Sequence, residues 1–188
     1  DGEPYWNESA AYVFTLAEIE DDLEAPTQEL AALARDVAGR VVDDERLLRR
    51  LGLPEHAWDP IRESWRREDP SLYGRFDMSY DGRGPAKLLE YNADTPTSLF
   101  ESSVVQWFWL QDLIARKQLP PGADQFNSLH EKLIARWRAV ARGAFLHLAC
   151  MMDDVEDRGT VAYLNDCAVQ AGLETNMGGD GGDPLPGL

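Results

Sequence analysis

The sequence predicts an α+β fold that is helix-rich, with one β-hairpin and one βαβ unit. Three observations carry this. Apolar residues at helical spacing dominate the first 70 residues. Alternating stretches at 71–80 and 87–92 flank a glycine-rich turn. An apolar run at 144–152 is followed by an acidic turn, a helical stretch, a glycine and a second strand-like start. The 188 residues suit one domain or slightly more, long enough to bury a core without disulfide support.

The chain divides into three segments. Residues 1–70 form a helical N-terminal segment. Residues 71–175 hold the hairpin, further helices and the βαβ unit of the same domain. Residues 176–188, with five Gly and two Pro, form an irregular tail. In the first segment Thr15-x-x-Glu18 reads as a capping box. Ile19, Leu23, Leu30, Leu33, Val37 and Val41 then recur at helical spacing as a core stripe, which Pro26 interrupts as a break or a new first turn. A short helix from about Asp44 ends at Leu51-Gly52, and Pro54 opens another carrying Trp58, Ile61 and Trp65. Beyond the hairpin, Ser98-x-x-Glu101 reads as a second capping box before an apolar helix through Trp107, Trp109 and Ile114. Ser128-x-x-Glu131 sits at the start of a helix running to about Arg142. The last helix spans about 160–171, with Gly172 as its stop.

Charge excludes several function classes. The chain carries 34 acidic against 18 basic side chains, a net −16. No Lys/Arg-dense stripe is present, so a nucleic-acid footprint is excluded and an anionic membrane surface is disfavoured. No apolar run reaches the 18 residues of a membrane span. Residues 1–30 hold nine Asp/Glu and no Lys or Arg, which serves solubility or draws a cationic partner. Two cysteines, Cys150 and Cys167, fit a reducing, cytoplasmic setting as small core residues. No Cys–His pair is evident, and His56, His130 and His147 read as structural.

The chemistry concentrates in residues 74–97. With Tyr80 opposite Lys87, Asp77 faces Glu90 and Arg75 faces Asn92, because each pair of numbers has the same sum. Alternation puts these four on one face, with Phe76, Met78, Leu89 and Tyr91 on the apolar one. Two facing carboxylates repel unless something positive lies between them. Arg75 is one candidate and a divalent cation the other, since two carboxylates and an amide oxygen are hard donors. A solvated polar face with a surface Arg–Asp pair is the alternative, and both readings stay open on spacing alone. The polar turn 92–98 leads into a helix N-terminus, which attracts anions, although Thr97 and Ser98 also read simply as caps.

Gly74-Arg-Phe-Asp77 followed by Leu88-Leu-Glu-Tyr-Asn-Ala-Asp-Thr-Pro-Thr97 resembles the synthetase domain of the glutathionylspermidine synthase family. Trp6-x-Glu8, Tyr12, Phe14, Ser64-Trp65, Trp107, Glu156-Asp157, Thr160 and Tyr163-Leu164 agree in order, so the resemblance covers about residues 5–175. It implies the first half of an ATP-grasp ligase. In such an enzyme ATP phosphorylates a peptide acid, and a cationic amine attacks the acyl phosphate to give an amide. It further implies Asp77, Glu90 and Asn92 as Mg²⁺ ligands, and Arg75 as the catalytic residue stabilising the transferred phosphoryl group. Arg75 and Asp77 would also contact the nucleotide. Thr95, Thr97, Glu156 and Asp157 are implied at the substrate.

The chain has only Lys87, Lys117 and Lys132 and no P-loop, whereas the nucleotide lysines in this family come from later sequence. It is therefore expected to be incomplete and to bind ATP poorly alone. A non-catalytic metal- or peptide-binding module is the alternative. A Mg²⁺ enzyme of phosphate esters is a third reading, and it lacks an identifiable base.

Overall fold

The computed structural model describes residues 7–93, 97–126, 128–141, 143, 145–151 and 153–178. Helices dominate, accompanied by a two-stranded antiparallel sheet and a parallel strand pair, which is the α+β class expected. The chain divides into two compact units. The first comprises residues 1–69 and 76–91, the second residues 70–75 and 92–188. The interior of the hairpin thus groups with the N-terminal helices.

In the first unit the Thr15 capping box forms as read. The Thr15 N–H donates to Glu18 Oε2 at 2.7 Å, and the Glu18 N–H donates to Thr15 Oγ1 at 3.2 Å. Donation to that carboxylate from the Thr15 N–H first, and then from the Thr15 hydroxyl at 2.8 Å, holds the Glu18 carboxyl below its usual value. The stabilisation is therefore present above the unfolded-state pKa and is lost as pH falls through the lowered folded value. Beyond the box a π-helical turn, Glu18–Glu24, runs directly into α1 (Ala25–Val42). Pro26 does not break the helix. It sits in the first turn of α1, and the Asp22 carbonyl, four residues before it, accepts from the Ala86 N–H at 2.8 Å in place of the N–H that proline lacks.

Leu33 and Val37 are 52% and 56% exposed, so they do not belong to the core stripe in which the spacing places them. Periodicity reports which residues share a face, and only packing decides whether that face is covered. Among the described residues of this unit Val42, Leu48, Trp58 and Ala86 are buried.

Asp44 caps α2 (Glu45–Arg50), accepting from the N–H groups of Arg46 and Leu47. Gly52 then takes φ 75°, the left-handed geometry that ends the helix as expected. α3 (Trp58–Arg67) comes after a 3₁₀ turn at Glu55–Ala57. A Cβ on Gly39 of α1 would stand 3.1 Å from the Trp65 ring, so glycine there permits the close approach of α1 and α3. β1 (Arg75–Ser79) and β2 (Lys87–Asn92) form the hairpin.

In the second unit a π-helical turn, Glu101–Val105, leads into α4 (Gln106–Ala115). α5 (Leu129–Val140), β3 (Phe145–Ala149), α6 (Val155–Gln170) and β4 (Glu174–Gly178) complete the order. β3 and β4 pair in parallel, Phe145 with Glu174 through Ala149 with Gly178, so the expected βαβ unit is formed. The acidic turn is shorter than expected, because Asp154 starts α6 by accepting from Glu156 and Asp157 N–H at 2.8 and 3.0 Å. β4 extends into the segment expected as an irregular tail, and residues 179–188 lie outside the described set.

The core cluster gathers Leu99, Leu133, Trp137, Tyr163, Leu164, Cys167 and Ala168. Asp154→Ala removes the cap from the longest helix of this unit. It is expected to cost about 1 kcal/mol, read as a lower urea midpoint at unchanged slope.

Candidate metal and substrate site

Phe76 and Tyr91 stack across the hairpin with ring centroids 4.2 Å apart. Their numbers share the sum that pairs Asp77 with Glu90, and the strand limits agree, since Arg75 opens β1 where Asn92 closes β2. In that register Arg75, Asp77, Glu90 and Asn92 occupy successive facing positions on one side of the hairpin. Glu90 is exposed, while Arg75, Asp77 and Asn92 are half-buried. Each of the four is engaged with a neighbour. The opposite side is less covered than its composition suggests, with Leu89 70% and Tyr91 45% exposed.

Among the described residues no three His, Cys, Asp or Glu side chains cluster closely enough to hold a metal. Two hairpin carboxylates fit a hard cation only if oxygen donors of another kind complete the shell. The Asn92 amide and substrate phosphates are of that kind, and Mg²⁺ is commonly held by one or two carboxylates with phosphate oxygens. The donor chemistry therefore fits Mg²⁺.

Arg75 lies in the second unit with the loop beyond β2. Its Nη1 donates to the Thr97 carbonyl at 2.9 Å, fixing the entry to the next helix. That bond uses one of the five guanidinium N–H groups. Nearby, burial pushes the Tyr73 phenol up to about 12, and the Arg75 charge partly offsets the shift. Thr97 is half-buried, and Thr95 lies outside the described residues.

The second capping box does not form as read. Ser98 adopts φ 67°, away from the extended geometry of an N-cap, and its backbone carbonyl accepts from both the Ser102 N–H and the Ser102 hydroxyl. Ser128 likewise precedes α5 without a side-chain cap bond. Glu156 and Asp157 lie in the first turn of α6, where their charge suits the helix dipole, with Glu156 exposed and Asp157 half-buried.

Sequence reasoning missed two polar clusters. In the first unit the Tyr80 hydroxyl lies 3.2 Å from Glu18 Oε1 and 3.1 Å from Asp22 Oδ2. Burial first, then the two carboxylates, push this phenol up to about 12. In the second unit His130 Nδ1 is 3.8 Å from Cys167 Sγ and 2.9 Å from the Tyr163 hydroxyl, a Cys–His proximity not evident from the sequence. The two residues stand 37 apart in sequence, and no local motif signals their contact. Cys167 is fully buried and its thiol is pushed up by that burial, the reverse of an activated nucleophile.

The α+β architecture and the acid-lined hairpin ahead of a βαβ unit define a preATP-grasp module. Residues 1–178 match the family model described as glutathionylspermidine synthase preATP-grasp, and the chain belongs to that family. It is 43% identical over 179 residues to a Haemophilus influenzae protein named "Putative acid--amine ligase", covering 92% of this chain and 43% of that protein. It is 28% identical over 174 residues to the bifunctional glutathionylspermidine synthetase/amidase of Escherichia coli, covering 91% of this chain and 27% of the relative. Trypanothione synthetase of Crithidia fasciculata is 27% identical over 143 residues, 76% of this chain and 22% of that protein. The chain thus spans less than half the length of these relatives, whose names are those of ligases and synthetases.

Proposed function

We propose that the chain is part of an ATP- and Mg²⁺-dependent ligase that joins a carboxylic acid, peptide-like in class, to a cationic amine through an acyl phosphate. The observation that carries this reading is the hairpin register supported by the Phe76–Tyr91 stack, which aligns Asp77 with Glu90 and Arg75 with Asn92. The 43% identity to a protein named for acid–amine ligation supports the reaction class.

Asp77, Glu90 and Asn92 would hold Mg²⁺, which when bound supplies positive charge to the phosphate oxygens. Arg75, which donates to the Thr97 carbonyl, would offset the charge on the phosphoryl group in transfer. Catalysis of this kind is mostly orientation and electrostatic stabilisation, with little covalent work for the protein. Thr95, Thr97, Glu156 and Asp157 contact the substrates in this reading. The two acids, on the first turn of α6, suit the amine.

A coupled ADP-release screen of the full-length protein against peptide acids paired with polyamines tests the proposal. The expected result is ADP release that requires Mg²⁺, an acid and an amine together. Mg²⁺ and ATP binding with no ADP release for any pair would favour a non-catalytic binding module instead.

A further inference from the structure

The turn of the hairpin is tied to the π-helical turn Glu18–Glu24 from both of its flanks, and both ties reach Asp22. From the β1 side, the Tyr80 hydroxyl lies 3.1 Å from Asp22 Oδ2 and 3.2 Å from Glu18 Oε1. From the β2 side, the Ala86 N–H donates to the Asp22 carbonyl at 2.8 Å. In the register that pairs Asp77 with Glu90, Tyr80 faces Lys87 and Ala86 faces Asp81, so the ties close adjacent rungs at the turn. Ala86 is 7% exposed, whereas the residues that follow it in β2 up to Tyr91 are exposed.

Ionised carboxylates only accept, and burial with the two acids pushes the Tyr80 phenol up to about 12, so the phenol is the donor. One phenol hydrogen serves two carboxylates four residues apart on the helical turn, where like charges otherwise repel. The Asp22 carbonyl is available to the hairpin because Pro26, four residues on, has no N–H to offer it. The Phe14 ring, with its centroid 6.1 Å from that of Tyr80, packs against the same phenol. A two-stranded hairpin is marginal alone in water, and no third strand joins this one among the described residues. Its placement therefore depends on ties of this kind.

We propose that Tyr80 and Asp22 form a clasp that positions the hairpin for cation binding, with Tyr80 a positioning residue for Asp77 and Glu90. This role rests on the assignment of those two carboxylates to Mg²⁺ in the proposed function. Strand alternation puts Tyr80 with Phe76 and Met78, on the face opposite Asp77, so it acts through the backbone and is not a ligand. Facing carboxylates repel, and they bind a cation tightly only when the scaffold holds them together before it arrives. The clasp supplies that hold at the turn end of the ladder. Its loss weakens binding of the cation and leaves the rate largely intact once the cation is bound.

The test uses the full-length protein and two readouts. Hydrogen exchange of residues 81–87 reports the Ala86 N–H, and the Mg²⁺ concentration at half-maximal ADP release reports the carboxylate pair. Tyr80→Phe keeps the ring and its contact with Phe14 and removes the hydroxyl. It is expected to speed the exchange and to raise the Mg²⁺ half-point, each by about tenfold, the worth of one hydrogen bond to a charged group. ADP release at saturating Mg²⁺ is expected to stay within about threefold. Asp22→Ala is expected to move both readouts the same way but less, because Glu18 still accepts from the phenol. Added to Tyr80→Phe, it is expected to contribute less than it does alone, since both changes remove one bond.

Unchanged exchange in Tyr80→Phe, or strict additivity of the two changes, overturns the clasp. If Tyr80→Phe does not fold, Asp22→Ala carries the same readouts, and its unchanged exchange has the same consequence. Faster exchange at an unchanged Mg²⁺ half-point, in a protein that loses turnover with Asp77→Asn, overturns the positioning role and leaves the ligase reading standing. ADP release indifferent to both Mg²⁺ and Asp77→Asn overturns the ligase reading, and the positioning role with it.

Discussion

On the proposed function, Asp77→Asn in the full-length protein is expected to reduce Mg²⁺-dependent ADP release by about 10²–10³-fold, and Glu90→Gln by a similar factor. Each change keeps side-chain size and hydrogen-bonding capacity and removes one of two negative charges at facing positions of the hairpin. Neutralising one member of a like-charged pair relieves repulsion, so thermal stability is expected to stay within about 0.5 kcal/mol. The two readouts separate the hypotheses. A site built for a cation loses turnover and apparent Mg²⁺ affinity at unchanged stability, whereas a solvated polar face loses neither. Retained turnover in both variants would sink the assignment of these carboxylates to the metal. Lost turnover accompanied by a collapse in stability would assign them a structural role instead.

The largest stability effect is expected at Leu48 of α2, which is 0% exposed. Leu48→Ala removes buried methyl groups and leaves a cavity, a change that typically costs about 3 kcal/mol. Leu33→Ala, at a site 52% exposed, is expected to stay within about 0.5 kcal/mol. Urea unfolding of the two variants side by side decides between the structure and the helical periodicity, which treats Leu33 as a core position. Equal losses would overturn the burial assigned to α1.

Local signals are legible in the sequence where the physics is local. The Thr15–Glu18 box, the left-handed Gly52 and Gly172, and the hairpin with its second strand all depend on residues within a few positions of one another, whereas the first strand is shorter, Arg75–Ser79, than the alternating stretch 71–80. The same reasoning fails at Ser98, where the sequence motif is right but the backbone enters the helix with φ 67° and only the carbonyl bonds the helix, accepting from the Ser102 N–H and hydroxyl. At Pro26 it leaves a break or a new first turn open, and the structure takes the second, with the proline in the first turn of α1 directly after a π-helical turn that has no simple sequence signature.

By itself, the sequence determined the α+β class, the order of the elements and the face that Arg75, Asp77, Glu90 and Asn92 share, because strand alternation is a property of the chain. Only the tertiary structure decided that Leu33 and Val37 are exposed, that the Arg75 guanidinium holds the Thr97 carbonyl, and that His130, Tyr163 and Cys167 meet. Those facts depend on which helix packs against which. Side chains 22 to 37 residues apart become neighbours only through that packing, and no periodicity along the chain encodes it.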